Sequence, residues 1–387
     1  MLNEEVNRFS RRSFLNVGVA ALSVAASDFS VTSTQADSRL SNSYTPMNRP
    51  IRGVSLGAWF VLEKWIVPSM FEGSTAADEF TLCQELGPKA ASKKMNQHWD
   101  NWITDKDFEW LSAHGINLVR LPIGYWAVKP DGPYVDASYA LDRALKMAAK
   151  HKIAVLVDLH GAPGSQNGWD HSGHAGALNW PEPDNVAKTV EIIDLLAARC
   201  TQHPNVVGIE LLNEPRWDVP LDILKNYYQR AYLKVRNHLS ADRAAVVIHD
   251  SFRQDVWHSF MEPPQFENVI LDTHLYQCFD ASFTNMSLNQ HLEYSLNELP
   301  SQLQKMSGKK PIVVGEWSLA LPGSAWNGVE QDANRVGHRA YADLQMLSYS
   351  QIPSGWIFWT LKTENSKEWS LMDCVENGWM PQRYNLA

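Results

Sequence analysis

The sequence predicts an α/β fold: a closed (β/α)8 (TIM) barrel with long loops after its strands. Three observations support this prediction. Strand-like apolar runs alternate with amphipathic helical segments eight times between residues 51 and 360. Connections from a helix to the next strand are short, whereas those from a strand to the next helix are often long. A chain of 387 residues has room for one such barrel, which takes about 250 residues before insertions.

Each element has its own signal. Short runs, several of them beginning with β-branched residues, favour buried parallel strands. Thr104 and Gly115 mark the start and the end of the first helix, and the segment 63–99 before it is irregular and aromatic. The predicted strands are 51–57, 117–122, 153–159, 206–214, 245–249, 269–273, 311–316 and 355–360. The predicted helices are 103–114, 138–150, 185–203, 221–239, a short piece near 255, 288–306 and 334–350, with the eighth least defined by its pattern.

The long loops lie on one face of the predicted barrel, which is where such barrels carry their chemistry. They span 57–101, 161–183, 320–331 and 362–380. A doubly wound open sheet is the alternative fold. That fold usually carries a glycine-rich phosphate loop after its first strand, and Gly53 and Gly57 do not form that pattern.

Composition restricts the function. The net charge of −9 and the lack of a basic tract argue against a nucleic-acid partner. Sixteen tryptophans suit a sugar-binding cleft, although tryptophan also fills protein cores. No apolar run approaches the roughly 20 residues needed to span a membrane. We expect a monomer that needs no cofactor and no metal.

The amino terminus carries a separate signal. Arg11 and Arg12 precede a short uncharged apolar run at 17–26 and then a Ser/Thr-rich stretch. This order resembles a bacterial twin-arginine (Tat) export signal. We therefore divide the chain into an export signal with a disordered tail, 1–43, and a barrel domain, 44–387, and expect a periplasmic or extracellular protein.

The four cysteines are far apart in the sequence. Cys83, Cys200, Cys278 and Cys374 show no C-x-x-C spacing, so a zinc ribbon or a thioredoxin-type motif is excluded. An exported protein can form disulfides, and four cysteines allow three complete pairings. Buried free thiols explain the same spacing equally well.

Two glutamates form the candidate catalytic pair. Glu214 and Glu316 each follow an apolar strand-like run, so both are placed at the carboxyl ends of strands. Hydrolysis of an acetal needs one protonated carboxyl group and one ionised carboxyl group. A single glutamate near a turn is usually an ordinary helix-start residue, but two at equivalent positions favour function. The other candidates at strand ends are Arg120, Asp158, His160, Asn213, His249, His274, Tyr276 and Trp359.

These candidates also have structural interpretations. Arg120 is expected to pair with Glu316, which would serve stability as well as catalysis. His249 is better explained as a core histidine. A metal site at His160, Asp170, His171 and His174 is the rival chemistry, but their glycine-rich loop gives the imidazoles no common register. No G-x-S-x-G turn supports a serine nucleophile.

The motifs resemble glycoside hydrolase family 5, in the branch of the exo-β-1,3-glucanases, over nearly all of residues 52–382. The matching stretches are 52–59 (RGVSLGAW), 120–126 (RLPIGYW), 158–168 (DLHGAPGSQNG), 211–215 (LLNEP), 274–277 (HLYQ) and 315–318 (GEWS). The resemblance implies that Glu214 is the acid/base and Glu316 the nucleophile of a retaining double displacement. The residues that it implies for substrate binding are Glu63, Arg120, His160, Trp169, Asp170, Asn213, His274, Tyr276, Phe279, Asn327 and Trp359.

Within that set, Glu63 and Asp170 match positions that bind the sugar at the non-reducing end. Trp169 and Phe279 match an aromatic pair that clamps the next sugar. The expected activity is therefore release of glucose from the non-reducing end of β-1,3-glucans. Another β-glucan or β-glucoside is the alternative substrate, and a non-catalytic carbohydrate-binding barrel is a third reading. We also expect a raised pKa for Glu214 and a lowered pKa for Glu316 beside Arg120.

Overall fold

The computed structural model describes residues 44, 46–47, 49–308 and 310–384. Within them, eight parallel strands close into a barrel in sequential order, with β1 paired to β8. This confirms the predicted (β/α)8 barrel over the open sheet. The strands are β1 (Ile51–Ser55), β2 (Leu118–Gly124), β3 (Ala154–Gly161), β4 (Val206–Glu210), β5 (Ala245–His249), β6 (Val269–His274), β7 (Ile312–Glu316) and β8 (Gly355–Phe358).

The helices pack around the barrel. Most lie close to their predicted positions, and the helix predicted at 288–306 is divided into two by a π-helical turn at Tyr294–Glu298. The α-helices of the described residues are α1 (Glu79–Asn101), α2 (Asp105–His114), α3 (Ser138–Lys150), α4 (Pro183–Cys200), α5 (Leu221–Arg236), α6 (Leu288–Glu293), α7 (Leu299–Met306), α8 (Gln331–Tyr349) and α9 (Leu371–Glu376).

Two predictions of local structure were wrong. The segment expected to be irregular before residue 99 contains α1, which starts at a capping box on Asp78 and bends at Gly87 and Pro88. The glycine and proline interrupt the helical pattern in the sequence, although the chain resumes its helix beyond them. Strand β4 ends at Glu210, so Glu214 lies in the loop that follows instead of at the last strand position.

The barrel interior has two layers of different character. Its amino-terminal half is filled by apolar side chains from all eight strands, and Met47 joins them from the segment before β1. Its carboxyl-terminal half holds buried charges instead, among them Arg120, Asp158, Glu210 and Asp272. An apolar plug below and a charged layer above direct the chemistry to the face carrying the long loops.

Two further predictions can be compared with the described residues, and a third cannot. All four cysteines are unpaired thiols, three of them buried. No helix in the part of the chain described here is both long and apolar enough to cross a membrane. The predicted export signal and tail, residues 1–43, lie outside the described residues.

Candidate active site

A cavity of about 320 Å³ opens at the carboxyl ends of the strands. Its lining includes both candidate catalytic acids, although they come from opposite sides of the barrel, after β4 and at the end of β7. The predicted site residues that line it are Glu63, His160, Asn213, Glu214, Tyr276, Phe279, Glu316 and Trp359. The lining residues that were not among the predicted site residues are Trp65, His171 and Trp369.

Arg120 holds one acid from beneath. Its side chain is fully buried, and Nη1 donates to Glu316 Oε1 at 2.7 Å. Nε donates to Glu210 at 2.8 Å, and Nη2 lies 3.1 Å from Asp158. The expected pairing with Glu316 is confirmed. The buried partner Glu210 was not predicted, because it lies inside the predicted strand 206–214 rather than at its end.

His274 connects the two acids. Its Nδ1 lies 2.6 Å from Glu214 Oε1 and 3.4 Å from Glu316 Oε2, while Nε2 faces Asp272 Oδ2 at 3.3 Å. Glu214 Oε1 and Glu316 Oε2 are therefore no more than about 6 Å apart, a limit that accommodates the spacing of about 5 to 5.5 Å between the carboxyl groups of retaining glycosidases. Tyr276 Oη donates to Glu316 Oε2 at 2.8 Å.

Six of these side chains form what we call the cavity floor: Arg120, Asn213, Glu214, His274, Tyr276 and Glu316. Asn213 links it to the neighbouring strand, since its Oδ1 accepts from Arg120 at 2.8 Å and its Nδ2 faces His160 Nε2 at 3.4 Å. His160 in turn contacts Asp158 at 2.6 Å through Nδ1 and stacks on Trp359 with the planes 6° apart. Each polar side chain of the floor is thus fixed by at least one neighbour.

The order of the pKa values is the reverse of the prediction. Burial raises the pKa of Glu316 to about 8 and outweighs the charges of His274 and Arg120. Burial also acts to raise the pKa of Glu214, but the hydrogen bond and charge of His274, with the charges of His171 and His160, lower it to about 2. The prediction was wrong because it considered Arg120 alone and not the contact of His274 with Glu214.

The surroundings of His274 favour its cationic form. Burial acts to lower its pKa, but the charges of Glu316 and Asp272 and the hydrogen bonds to Asp272 and Glu214 raise it well above the ordinary value. Glu63, at the far end of the cavity, also has a pKa well above its usual range, because of burial and the negative charges of Asp170 and Glu316. Trp65 Nε1 donates to Glu63 at 2.9 Å.

Backbone strain occurs at the site. Glu214 has φ of +42°, a left-handed conformation that a residue with a side chain adopts at a cost of about 1 to 3 kcal/mol. Asn167 Nδ2 supports this conformation by donating to the Glu214 carbonyl oxygen at 3.2 Å. The strain aims the Glu214 side chain at His274 even though β4 has already ended.

Two aromatic groups flank the cavity. On one side Trp169 contacts Trp217 and Phe252, with ring centroids 6.0 and 6.3 Å away, and we call these three residues the aromatic platform. On the other side Trp369 contacts Phe279 and Trp65 at 5.9 and 5.3 Å, which forms the opposite wall. Trp217 and Trp369 were not predicted as site residues. Their positions in the loops after β4 and β8 were the available sequence signal, but loop position alone does not show which rings face a cleft.

Five predicted binding residues are not among those that line the cavity. Two of them, Arg120 and His274, belong to the cavity floor, and the other three lie further out. Trp169 lies in the aromatic platform at its edge. Asp170 lies near Glu63, whose pKa it raises. Asn327 follows a short helix, and its backbone N–H donates to Ser324 O in a turn.

The metal alternative gains no support from the geometry. In the described residues, the groups of three converging metal-binding side chains are Glu214, His249 and His274, and Glu210, Asp272 and His274. Both groups need His274, whose nitrogens already face carboxylates. In the rival metal site considered from the sequence, His174 instead stacks on Phe80, and His171 Nε2 lies 3.4 Å from Glu214.

Comparison with known proteins agrees with the fold. A family model described as cellulase (glycosyl hydrolase family 5) matches residues 83–365. The chain therefore belongs to glycosyl hydrolase family 5 and is a glycosidase, and a retaining mechanism is characteristic of this family.

The relatives of this chain include glucan 1,3-β-glucosidases of fungi. The probable glucan 1,3-β-glucosidase A of Aspergillus niger is 39% identical over 380 residues, which cover 88% of this chain and 89% of that one. The glucan 1,3-β-glucosidase of Blumeria graminis is 37% identical over 87% of each chain. Among solved structures, rutinosidase from Aspergillus niger aligns with a TM-score of 0.72 over 87% of this chain and 99% of that one, and at 20% identity it shows the fold alone.

Proposed function

We propose that this glycosidase releases glucose from the non-reducing end of β-1,3-glucans with retention of configuration. The observation that carries the proposal is the bridging of Glu214 and Glu316 by His274, which holds an oxygen of each acid within about 6 Å of the other in a cavity of about 320 Å³. The relatives named as glucan 1,3-β-glucosidases support the substrate.

Glu316 is the proposed nucleophile. Arg120 and Tyr276 donate to its two oxygens, so both stabilise the carboxylate once it is ionised. That carboxylate attacks the anomeric carbon while Glu214 gives a proton to the departing glycosidic oxygen. Glu214 then removes a proton from water, the water attacks the same carbon, and Glu316 leaves as a carboxylate.

The proton must therefore change position when substrate binds. In the free site, burial raises the pKa of Glu316 and the contact with His274 lowers that of Glu214, whereas the first step needs a proton on Glu214. His274 is the route that the geometry supports, because its Nδ1 lies within 3.4 Å of Glu316 and 2.6 Å of Glu214. A sugar that covers the cavity also removes water from both acids, which changes the balance of charge between them.

The remaining predicted residues have proposed binding roles. Asn213 and His160 face the hydroxyl groups next to the reacting carbon, and Trp359 lies beneath the sugar ring. Glu63 and Asp170 bind hydroxyl groups at the far end of the cavity. The residues proposed to hold the next sugar or to touch the substrate further out are Trp169, Phe279 and Asn327.

Release from a chain end follows from how the cavity is closed. Ser69 N donates to Glu364 at 2.9 Å, and Glu364 N donates to the Ile66 carbonyl oxygen at 2.9 Å. These bonds join the loop after β1 to the loop after β8 beyond Trp65. We propose that this connection stops the glucan at Glu63, so that only a chain end is cleaved.

Export, the monomeric state and the division of the chain are part of the same proposal. A soluble exported monomer suits a polymeric glucan that lies outside the cell. We keep residues 1–43 as an export segment and 44–387 as one domain. The relatives compared come from fungi, so they give no support to the bacterial Tat-like reading.

The test is a time course on laminari-oligosaccharides followed by proton NMR. We expect β-glucose as the first small product, which then mutarotates. Early α-glucose would contradict retention, and early oligosaccharide products would show an open cleft that cuts within the chain. Hydrolysis of another β-glucoside without action on β-1,3 linkages would show that the proposed substrate is wrong and would leave the proposed mechanism in place.

A further inference from the structure

Trp217 is a large apolar side chain left in solvent beside the cavity. It is 56% exposed, and Phe252 beside it is 39% exposed. Their ring centroids lie 6.3 Å apart, and both rings contact Trp169. Exposed aromatic groups of this size commonly mark a binding surface.

The backbone holds this surface rigid at a cost in stability. Ser251 and Phe252 are consecutive residues with φ of +54° and +56°, although neither is glycine. Three hydrogen bonds fix the turn: Ser251 N to His249 Nδ1, Phe252 N to Asp250 Oδ1, and Ser251 Oγ to the Pro215 carbonyl oxygen, at 2.9, 2.8 and 2.7 Å. Strain of this kind persists where the surroundings enforce it, and it clusters at functional sites.

The loop of Trp217 is fixed in the same way. Arg216 N donates to the Gln166 carbonyl oxygen at 3.1 Å, and its Nη1 donates to the Asn167 carbonyl oxygen at 3.0 Å. Asp218 holds the other guanidinium nitrogens at 2.7 Å. Trp217 lies between these two anchored residues, so its ring is presented against Trp169 by a preorganised loop.

The position of the platform relative to the acids identifies its occupant. Trp169 contacts His171 with ring centroids 5.4 Å apart, and His171 Nε2 lies 3.4 Å from Glu214 Oε2. Glu214 is the proposed donor to the leaving oxygen, so the platform extends from the side where the leaving group departs. The opposite wall is connected to Glu316 instead, through Trp369 and Tyr276.

We propose that Trp217, supported by Phe252, binds the second glucosyl unit on the leaving-group side of the cleaved bond. Resting on the proposed function, this makes the enzyme more efficient on trisaccharides and longer chains than on disaccharides. A flat aromatic face binds the apolar face of a pyranose ring and leaves its hydroxyl groups in water.

The test compares kcat/KM for laminaribiose, laminaritriose and laminaritetraose in the full chain. Trp217→Ala is expected to lower kcat/KM about 3- to 10-fold for the two longer substrates and to leave laminaribiose within about twofold. Trp217→Tyr should restore most of the loss, because it keeps an aromatic face. Tyr139→Ala, which removes a ring that is 79% exposed on α3, should change none of the three.

Each other outcome overturns a defined part of the proposal. Equal losses of kcat/KM on all three substrates, or no loss on any, would contradict the proposed subsite and leave the proposed function in place. A larger loss on an aryl β-glucoside than on laminaritriose would show that the occupant is an aromatic leaving group. A wild-type enzyme that hydrolyses no member of the series would overturn the proposed function and the subsite together.

Discussion

The cavity floor and the aromatic platform lie side by side but are built in different ways. The floor residues come from within β2, from the last residues of β6 and β7, or from the segments just after β4 and β6. They are almost all buried and contact one another through charges and hydrogen bonds. The platform comes from three loops, and two of its three rings are 56% and 39% exposed. This difference indicates that the barrel positions the catalytic groups, whereas the loops determine which part of a substrate lies beside them.

The largest expected effect tests the chemical half of this comparison. Glu316→Ala removes the proposed nucleophile, so kcat/KM for laminaribiose should fall about 10⁴-fold or more. Initial rates on purified protein measure this. The control is Glu109→Ala on the exposed side of α2, which should leave the rate unchanged. A Glu316→Ala enzyme within about tenfold of wild type would remove the residue from the mechanism.

The second prediction concerns stability. Arg120→Met leaves Glu210, Asp158 and Glu316 without their buried cation, so the free energy of unfolding should fall by about 3 to 5 kcal/mol. Urea denaturation measures the change. Arg143→Met, which breaks an exposed pair with Asp100, should change it by no more than about 1 kcal/mol. Equal changes in the two variants would mean that the floor is no more cooperative than the surface.

The third prediction concerns pH. Burial raises the pKa of Glu316 to about 8, while the contact with His274 lowers that of Glu214 to about 2. Above that pH both acids are ionised and no proton remains for the leaving group, so kcat/KM should fall about tenfold per pH unit. Rates from about pH 5 to about pH 10 measure this alkaline limb. Phe279→Ala should leave its position unchanged, and a limb near pH 6 would contradict the proton assignment.

The smallest expected effect lies on the opposite wall. Phe279 is 73% exposed and contacts Tyr276 and Trp369. Phe279→Ala should lower kcat/KM for laminaribiose about 3- to 10-fold, mainly through KM, because the proposed role of the ring is to hold the sugar and not to act on the reacting atoms. A loss confined to kcat would instead mean that Phe279 positions Tyr276.

Much of the floor could be predicted from the sequence. Glu316 ends an apolar run, and in a parallel barrel all strand ends meet at one face, so its proximity to Arg120 follows from pattern alone. Glu210 and Asp272 could not be found this way, because both lie inside the predicted strands 206–214 and 269–273, where an inward-facing acid resembles an ordinary strand residue. The pKa order could not be predicted either, since it depends on the distance of 2.6 Å between His274 and Glu214.

The platform shows the opposite limit. Trp169 was assigned to substrate binding through the resemblance, but its contact with Trp217 was not predicted. The left-handed turn at Ser251 and Phe252 has no signal in the sequence, because neither residue favours that conformation. Loop conformation of this kind is fixed by tertiary hydrogen bonds such as the one from Ser251 to Pro215.

The central claim is that Glu316 attacks and Glu214 transfers the proton, and azide rescue tests it most directly. The substrate is an activated aryl β-glucoside, whose leaving group needs no acid. With Glu214→Ala, azide should attack the glucosyl enzyme from the face opposite Glu316 and give β-glucosyl azide. With Glu316→Ala, azide should occupy the place of the lost carboxylate and give α-glucosyl azide. The reverse pairing of variants and anomers would exchange the two roles and contradict the account.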